Sequence, residues 1–125
     1  MEKKRVMVVD DDERSLKLTK LHLEQTGTYD VMTLSGAKEM ISHTHSFKPD
    51  IILLDLLMPA MGGIEACEML NNDPIGKGIP IIILSSLDKD VDKLKAYKGG
   101  VVDYLVKPIE KNGLLTKIEK ALRFK

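Results

Sequence analysis

The sequence has few aromatic residues, one cysteine and no excess of either charge, and each shortage excludes a class of protein. Aromatic residues make up 4% of the 125 residues and hydrophobic residues 43%, so the core must be mainly aliphatic. The single cysteine, Cys67, excludes an internal disulfide and suits a reducing compartment. The 19 basic and 19 acidic residues cancel, which removes the electrostatic signature of a general nucleic-acid-binding protein.

Long apolar runs are also missing from the sequence. A membrane-spanning helix needs roughly 20 consecutive apolar residues, and no stretch of this chain approaches that length. We therefore expect a cytoplasmic protein that does not bind a membrane. The length suits one domain, so residues 1–125 are predicted to fold as a single unit.

What the sequence does contain is a regular alternation of short apolar runs and helical segments. Strands are predicted over 6–9, 29–33, 51–54, 81–84 and 101–106. Helices are predicted over 14–25, 37–43, 64–70, 88–98 and 110–123. This (βα)5 alternation predicts the α/β class, a doubly wound parallel five-stranded sheet with helices on both faces. In the flavodoxin-like strand order 2-1-3-4-5, the first and third strands lie side by side at the switch point.

The predicted helices differ in how clearly their buried side can be assigned. The sheet-facing side of the first helix is predicted to carry Leu18, Thr19, His22, Leu23 and Thr26. Leu16 and Leu21 fall on the two shoulders beside the charged side, where we expect partial exposure. Ser35 is a plausible cap for the second helix because its hydroxyl can accept a backbone N–H bond.

Polar or charged side chains stand at the ends of four of these strands. Asp10 and Asp11 follow the first strand, Asp55 follows the third, Ser85 the fourth and Lys107 the fifth. Because parallel strands bring their carboxyl ends to one edge of a sheet, we expect these side chains to converge.

Three carboxylates in one cleft repel one another, by on the order of 1–4 kcal/mol per close pair. Lys107 offsets part of this repulsion, and a divalent cation offsets more. Ligands that are all oxygen favour Mg²⁺ (or Mn²⁺) over Zn²⁺. We therefore predict a metal site held by Asp11 and Asp55, with Asp10 in reserve.

The same arrangement predicts that Asp55 is a nucleophile, because carboxylates form acyl phosphates. Lys107 would neutralise the phosphoryl oxygens and Ser85 would donate a hydrogen bond to one of them. A simpler interpretation is that the acidic residues cap the first helix, a role that Asp12 or Asp11 can fill in part. Capping needs one acid, however, and does not explain two acids beside a third.

Four motifs occur together in an order and spacing that identify a family. They are Val8–Asp11, Leu54–Pro59 with Gly62 and Gly63, Leu84–Ser86, and Asp103–Pro108. Over residues 5–123 the chain resembles the receiver domain of a two-component response regulator, of the kind found in chemotaxis regulators.

The resemblance implies a role for each matching position. Asp55 matches the phosphoacceptor, and Asp10 and Asp11 match the acidic pair of which Asp11 ligates Mg²⁺ directly. Leu57 would add its backbone carbonyl to the metal site. Ser85 matches the switch hydroxyl and Lys107 the lysine of the pattern.

Two further features of the family concern the switch itself. Tyr104 matches the aromatic residue that turns inward when Ser85 moves toward the phosphoryl group. The peptide bond before Pro108 is expected to be cis, which costs little before proline.

The resemblance implies a signalling switch rather than an enzyme, with at most slow self-dephosphorylation. Asp55 would accept phosphate from a phosphohistidine of a histidine kinase or a histidine phosphotransfer protein. The surface formed by the predicted fourth helix, the fifth strand and the last helix would then change and alter the binding of an output partner or a fused output domain.

No output domain is expected within this chain, direct nucleic-acid binding is not expected, and phosphorylation-linked dimerisation is compatible with the sequence. Leu16 and Leu21 are candidates for docking the phosphodonor.

Three other functions fit the same fold. An aspartyl-phosphate phosphatase generally carries a second acid two residues after the nucleophile, where this chain has Leu57. An interaction module that works without phosphorylation would not need the full set of site residues. A flavodoxin-like flavin carrier is disfavoured because the acidic residues 10–13 would repel its phosphate.

Overall fold

A computed structural model of the protein describes residues 2–56, 58, 61–86 and 100–123. The predicted helix over 88–98 and the predicted metal ligand Leu57 lie outside these residues. The described strands are β1 (Lys4–Val9), β2 (Tyr29–Leu34), β3 (Ile51–Asp55), β4 (Ile81–Ser85) and β5 (Val101–Val106). The described helices are α1 (Glu13–Glu24), α2 (Met40–Phe47), α3 (Gly63–Asn71) and α4 (Lys111–Arg123), with a short 3₁₀ helix at Gly76–Gly78.

The five strands form one parallel sheet in the order β2-β1-β3-β4-β5, which confirms the predicted fold class and strand order. β3 and β4 are buried along their whole length, and so is β1 from Val6 onward. This burial explains why their sequences are continuous apolar runs rather than alternating ones. Residues of α2 and α3 pack into a hydrophobic cluster on one face of the sheet, and residues of α1 and α4 into a cluster on the other.

The buried side of α1 differs from the predicted one. Leu16 is 8% exposed and packs in the core, whereas Leu18 is 44% exposed and Leu21 is 51% exposed. The stripe that faces the sheet is formed by Leu16, Thr19 and Leu23, at the 3–4 residue spacing of a helix. The predicted partial exposure of Leu16 and the predicted burial of Leu18 were therefore wrong, because α1 is rotated about its own axis relative to the predicted orientation. The expected exposure of Leu21 is confirmed.

The second helix was also placed incorrectly from the sequence. It begins at Met40 rather than Ala37, its N-cap residue is Glu39, and Ser35 does not cap it. A turn closed by the Met40 N–H and the Ala37 carbonyl, at 3.2 Å, comes first. Ala37 is nevertheless buried in the core, so its apolar character reflects packing before the helix rather than the first turn of the helix.

The ends of the sheet that matter for the site are as predicted. Each residue that was expected at a strand end stands at or just beyond the carboxyl end of its strand, and the Lys107–Pro108 peptide bond is cis. In the described part of the chain, no helix has both the length and the apolar character that a membrane crossing requires.

Candidate functional site

The loop between β1 and α1 separates the acidic residues into two roles. Asp12 is the N-cap of α1, and its carboxylate accepts the backbone N–H of Arg14 at 3.0 Å. This hydrogen bond lowers the pKa of Asp12 below its ordinary value. Asp10 is fully buried, and its Oδ1 accepts the N–H of Asp12 at 3.0 Å. Asp12 is therefore the residue that caps α1. The carboxylates of Asp10 and Asp11 are not used for this cap.

Asp55 is positioned by the end of β3 and by a tight corner into α3. It is 5% exposed. A Cβ added at Gly63 would lie 2.8 Å from the Cα of Leu56 and 3.0 Å from the Asp55 carbonyl oxygen, so only glycine allows this approach. The Gly63 N–H donates to the Leu56 carbonyl at 2.8 Å and closes the corner. From the sequence, Gly63 was expected only to open a turn.

Asp10, Asp11 and Asp55 lie close together, as predicted from their positions at the carboxyl ends of β1 and β3. Each offers a carboxylate oxygen, and the three oxygens lie within 4.8 Å of one another. Asp10 and Asp55 are buried, whereas Asp11 is exposed, so the cluster opens to solvent on the side of Asp11. Such a group of hard oxygen ligands with access to water could hold a divalent cation.

Lys107 supplies the positive charge next to these carboxylates. Its Nζ lies 2.9 Å from Oδ2 of Asp10 and 3.6 Å from Oδ1 of Asp55. Burial alone would lower the pKa of Lys107, but the contact with Asp10 and the charges of Asp10 and Asp55 outweigh it and raise that pKa. Its backbone N–H donates to the Ser85 carbonyl at 2.7 Å, which ties the end of β5 to the end of β4.

One lysine does not satisfy three carboxylates. Oδ2 of Asp10 is buried and has no aligned hydrogen bond within the described residues, so the ion pair with Lys107 is its compensation there. The pKa of Asp55 is raised to about 7, chiefly by burial and further by the contact with Asp11 and the charge of Asp10, with Lys107 opposing these effects. The excess negative charge and the chemistry of these ligands both fit a divalent cation.

Ser85 and Tyr104, the two predicted switch residues, lie at and near the same edge of the sheet. Ser85 is the last residue of β4 and is almost completely buried. Tyr104 is partly buried and packs against the cluster formed with α2 and α3. The Nζ of Lys117, in α4, lies 5.5 Å from the centroid of the Tyr104 ring and 2.8 Å from Oδ1 of Asp103.

The link through Lys117 was not found from the sequence. Lys117 follows Asp103 by 14 residues on a different element, and a lysine in a helix is most often a solvated residue. An acid and a lysine three or four residues apart on one helix can be recognised as a pair from the sequence. A contact between a strand and a helix has no fixed spacing and cannot be recognised in this way.

Comparison with known proteins agrees with the fold. The family model of the response regulator receiver domain matches residues 6–119. The alkaline phosphatase synthesis transcriptional regulatory protein PhoP of Bacillus subtilis is 34% identical over 120 residues, which are 96% of this chain and 49% of that protein. Response regulator PleD of Caulobacter vibrioides is 34% identical over 121 residues, which are 97% of this chain and 26% of that protein.

A solved structure gives the same result. Chemotaxis protein CheY4 of Vibrio cholerae superposes with a TM-score of 0.87 at 25% identity, over 95% of this chain and 98% of that one. The chain thus spans about half the length of PhoP, about a quarter of PleD and nearly all of the solved CheY4 chain.

Proposed function

The chain belongs to the response regulator receiver domain family of two-component systems, and on this basis we propose that it is a signalling switch controlled by phosphorylation of Asp55. The observation that carries the proposal is the position of Asp55 at the carboxyl end of β3, with two further carboxylates beside it and Lys107 within 3.6 Å. This arrangement supplies a nucleophile, a cation site and a fixed positive charge for phosphoryl oxygens.

The phosphodonor is a phosphohistidine of a histidine kinase or of a histidine phosphotransfer protein. A carboxylate oxygen of Asp55 attacks phosphorus and forms a P–O bond while the P–N bond to the imidazole breaks. The imidazole keeps the bonding electron pair and takes up a proton on departure. Lys107 stabilises the charge on the transferred group, and the hydroxyl of Ser85 donates a hydrogen bond to it.

The cation proposed for the site is Mg²⁺, with Mn²⁺ as a substitute. Asp10, Asp11 and Asp55 would hold it, together with the backbone carbonyl of Leu57. When bound, the ion neutralises the excess carboxylate charge and that of the phosphoryl oxygens.

The output of the switch is a change of surface. Movement of Ser85 toward the phosphoryl group makes room for the ring of Tyr104, and this alters the surface that includes β5 and α4. A partner that prefers one of the two arrangements shifts the equilibrium between them. The curated relatives are named as a transcriptional regulator and response regulators, so an output partner or a fused output domain is the expected recipient of the signal.

Docking of the phosphodonor is proposed on the exposed side of α1. Leu21 is exposed there, as is Leu18, whereas Leu16 is in the core and does not take part. We place the protein in the cytoplasm because a reduced, buried Cys67 and a kinase partner both suit that compartment. Turnover is not part of the function beyond slow self-dephosphorylation.

The test is incorporation of phosphate from acetyl phosphate, followed by intact mass measurement. The wild-type chain should gain one phosphoryl group in the presence of Mg²⁺ and none when the metal is chelated. Asp55→Asn should gain none, whereas Asp30→Asn, at an exposed position on β2, should behave as wild type.

Two results would contradict the proposal. Phosphate that persists in Asp55→Asn would place the acceptor elsewhere. Release of many equivalents of phosphate per minute would instead indicate a phosphatase.

A further inference from the structure

A cavity lies at the opposite end of the sheet from Asp55. It has a volume of about 410 Å³, within the range of small-molecule sites. Its walls are the segment 77–80 before β4, the start of β5 and the C-terminal half of α4. Because the strands are parallel and β4 has five residues, roughly 15 Å separates this end of the sheet from the phosphoacceptor end.

The floor of the cavity is apolar and is opened by an irregularity in the sheet. Ile81 pairs with Val101 and Ile82 pairs with Asp103, so Val102 has no partner in β4. A bulge of this kind bends an edge strand away from regular pairing. Val102 is 54% exposed and lines the cavity, as do the buried residues Ile79 and Pro80.

The rim of the cavity is positively charged. Lys77, Lys117 and Lys120 line it, against the single acid Asp103. Lys117 already pairs with Asp103 at 2.8 Å. Among the residues that the structure describes, no ion pair is found for Lys77 or Lys120, so these two positive charges of the rim have no acidic partner there.

We propose that this cavity binds a small amphipathic anion, with its carboxylate or similar head group between Lys77 and Lys120 and its apolar body against Val102 and Ile79. The apolar floor alone would accept any hydrophobic group, and the two lysines select a negative one. The site is distinct from the phosphorylation site proposed at Asp55, because none of its lining residues belongs to the carboxylate cluster.

The probe is octanoate, titrated into the ¹⁵N-labelled protein and followed by amide chemical shifts. Saturable shifts are expected at residues 77–80, 100–103 and 117–121. Octanol, which has the same chain without the charge, should bind at least tenfold more weakly. Lys77→Gln combined with Lys120→Gln should weaken octanoate binding by at least tenfold.

Two control variants are needed. One tests whether the loss of any two lysines weakens binding, and the other tests whether filling the cavity does. Lys20→Gln combined with Lys38→Gln removes the same charge from exposed positions outside the cavity and should leave octanoate affinity unchanged. Gly78→Leu should weaken the binding of both probes, because Gly78 lines the cavity and an added Cβ there meets no atom within 4 Å. The unliganded spectra report whether each variant is folded.

Several results would overturn the proposal. These are the absence of saturable shifts, equal binding of octanol, and octanoate binding that survives loss of Lys77 and Lys120. Sedimentation velocity provides another: a dimer that Val102→Glu dissociates would show that the cavity is occupied by a second copy of the chain instead.

Discussion

At the scale of single residues, the chemistry of the site depends on a buried excess of negative charge. Asp55 has a pKa of about 7, far above the ordinary 3.8, because it is buried beside Asp11 and Asp10. Folding therefore favours the protonated form of Asp55. A reactive carboxylate is maintained at a cost to the stability of the metal-free protein.

Asp55→Asn should stabilise the metal-free protein at pH 8, by about 2 kcal/mol. Between about pH 4 and pH 7 the folded wild type holds a proton on Asp55 that the unfolded chain has released. The free energy of unfolding of the wild type therefore falls as the pH rises through this range, and the variant lacks this contribution. Urea unfolding at pH 4, 6 and 8 measures the difference, which should vanish near pH 4. Equal stabilities of the two proteins at pH 8 would contradict the raised pKa.

Lys107→Ala should fold but lose stability at pH 8 without metal, by about 1–3 kcal/mol, the cost of leaving a buried polar group unsatisfied. Its loss leaves Oδ2 of Asp10 without the ion pair at 2.9 Å. The variant should still accept phosphate at Asp55, but the ring resonances of Tyr104 should no longer shift on phosphorylation. Circular dichroism and NMR spectra measure the two effects, with Lys20→Ala as the exposed control. An unfolded Lys107→Ala would contradict this account.

At the scale of elements, the site depends on how closely α3 approaches the end of β3. The Cβ position of Gly63 lies within 3.1 Å of three backbone atoms of residues 55 and 56, and backbone atoms cannot move aside as a flexible side chain can. Gly113, in α4, offers a contrast because an added Cβ there meets no atom within 4 Å. Substitution of Gly63 therefore tests the close packing of α3 on β3, whereas substitution of Gly113 tests only the general cost of glycine in a helix.

Gly63→Ala should lower the free energy of unfolding by about 2 kcal/mol, whereas Gly113→Ala should raise it by roughly 0.5–1 kcal/mol. The first change forces the corner that carries Asp55 apart, so it should also weaken Mg²⁺ binding. The second only removes backbone entropy from the unfolded chain. Urea unfolding and Mg²⁺ titration measure both variants, and a neutral effect of Gly63→Ala would show that the corner can relax.

At the scale of the whole molecule, metal binding and folding stability are linked through the same carboxylates. An ion that binds only the folded state stabilises it, by about 2.7 kcal/mol at a concentration 100 times its dissociation constant. Because Asp55 must lose its proton to bind the ion, this stabilisation depends on pH in the opposite direction to that of the metal-free protein.

The apparent affinity for Mg²⁺ should rise about tenfold between pH 6 and pH 8, as Asp55 with its pKa of about 7 becomes ionised. Asp55→Asn should bind Mg²⁺ more weakly and with much less dependence on pH. Calorimetric titration at pH 6, 7 and 8 measures both. A wild-type affinity that does not change with pH would contradict either the raised pKa of Asp55 or its place among the metal ligands.

The sequence by itself determined the sheet, its strand order and the residues at its carboxyl edge. The strands and the residues at their ends follow from local patterns, because continuous apolar runs predict buried parallel strands and the edge where such strands end is shared. The strand order follows from the flavodoxin-like class that the (βα)5 alternation indicates. The sequence alone therefore predicts that Asp10, Asp11, Asp55 and Lys107 lie together, and their contacts in the structure agree.

Only the tertiary structure decided which side of α1 is buried, where α2 begins and how charge is distributed in the site. Leu16 and Leu18 are equally apolar, and the packing of α1 against the sheet and α4 selects one of them. The raised pKa of Asp55 and the contact of Lys117 with Asp103 likewise depend on distances between separate elements. The periodicity of apolar residues predicts that a helix or strand has a buried side, but the distances between elements are set when their side chains pack together.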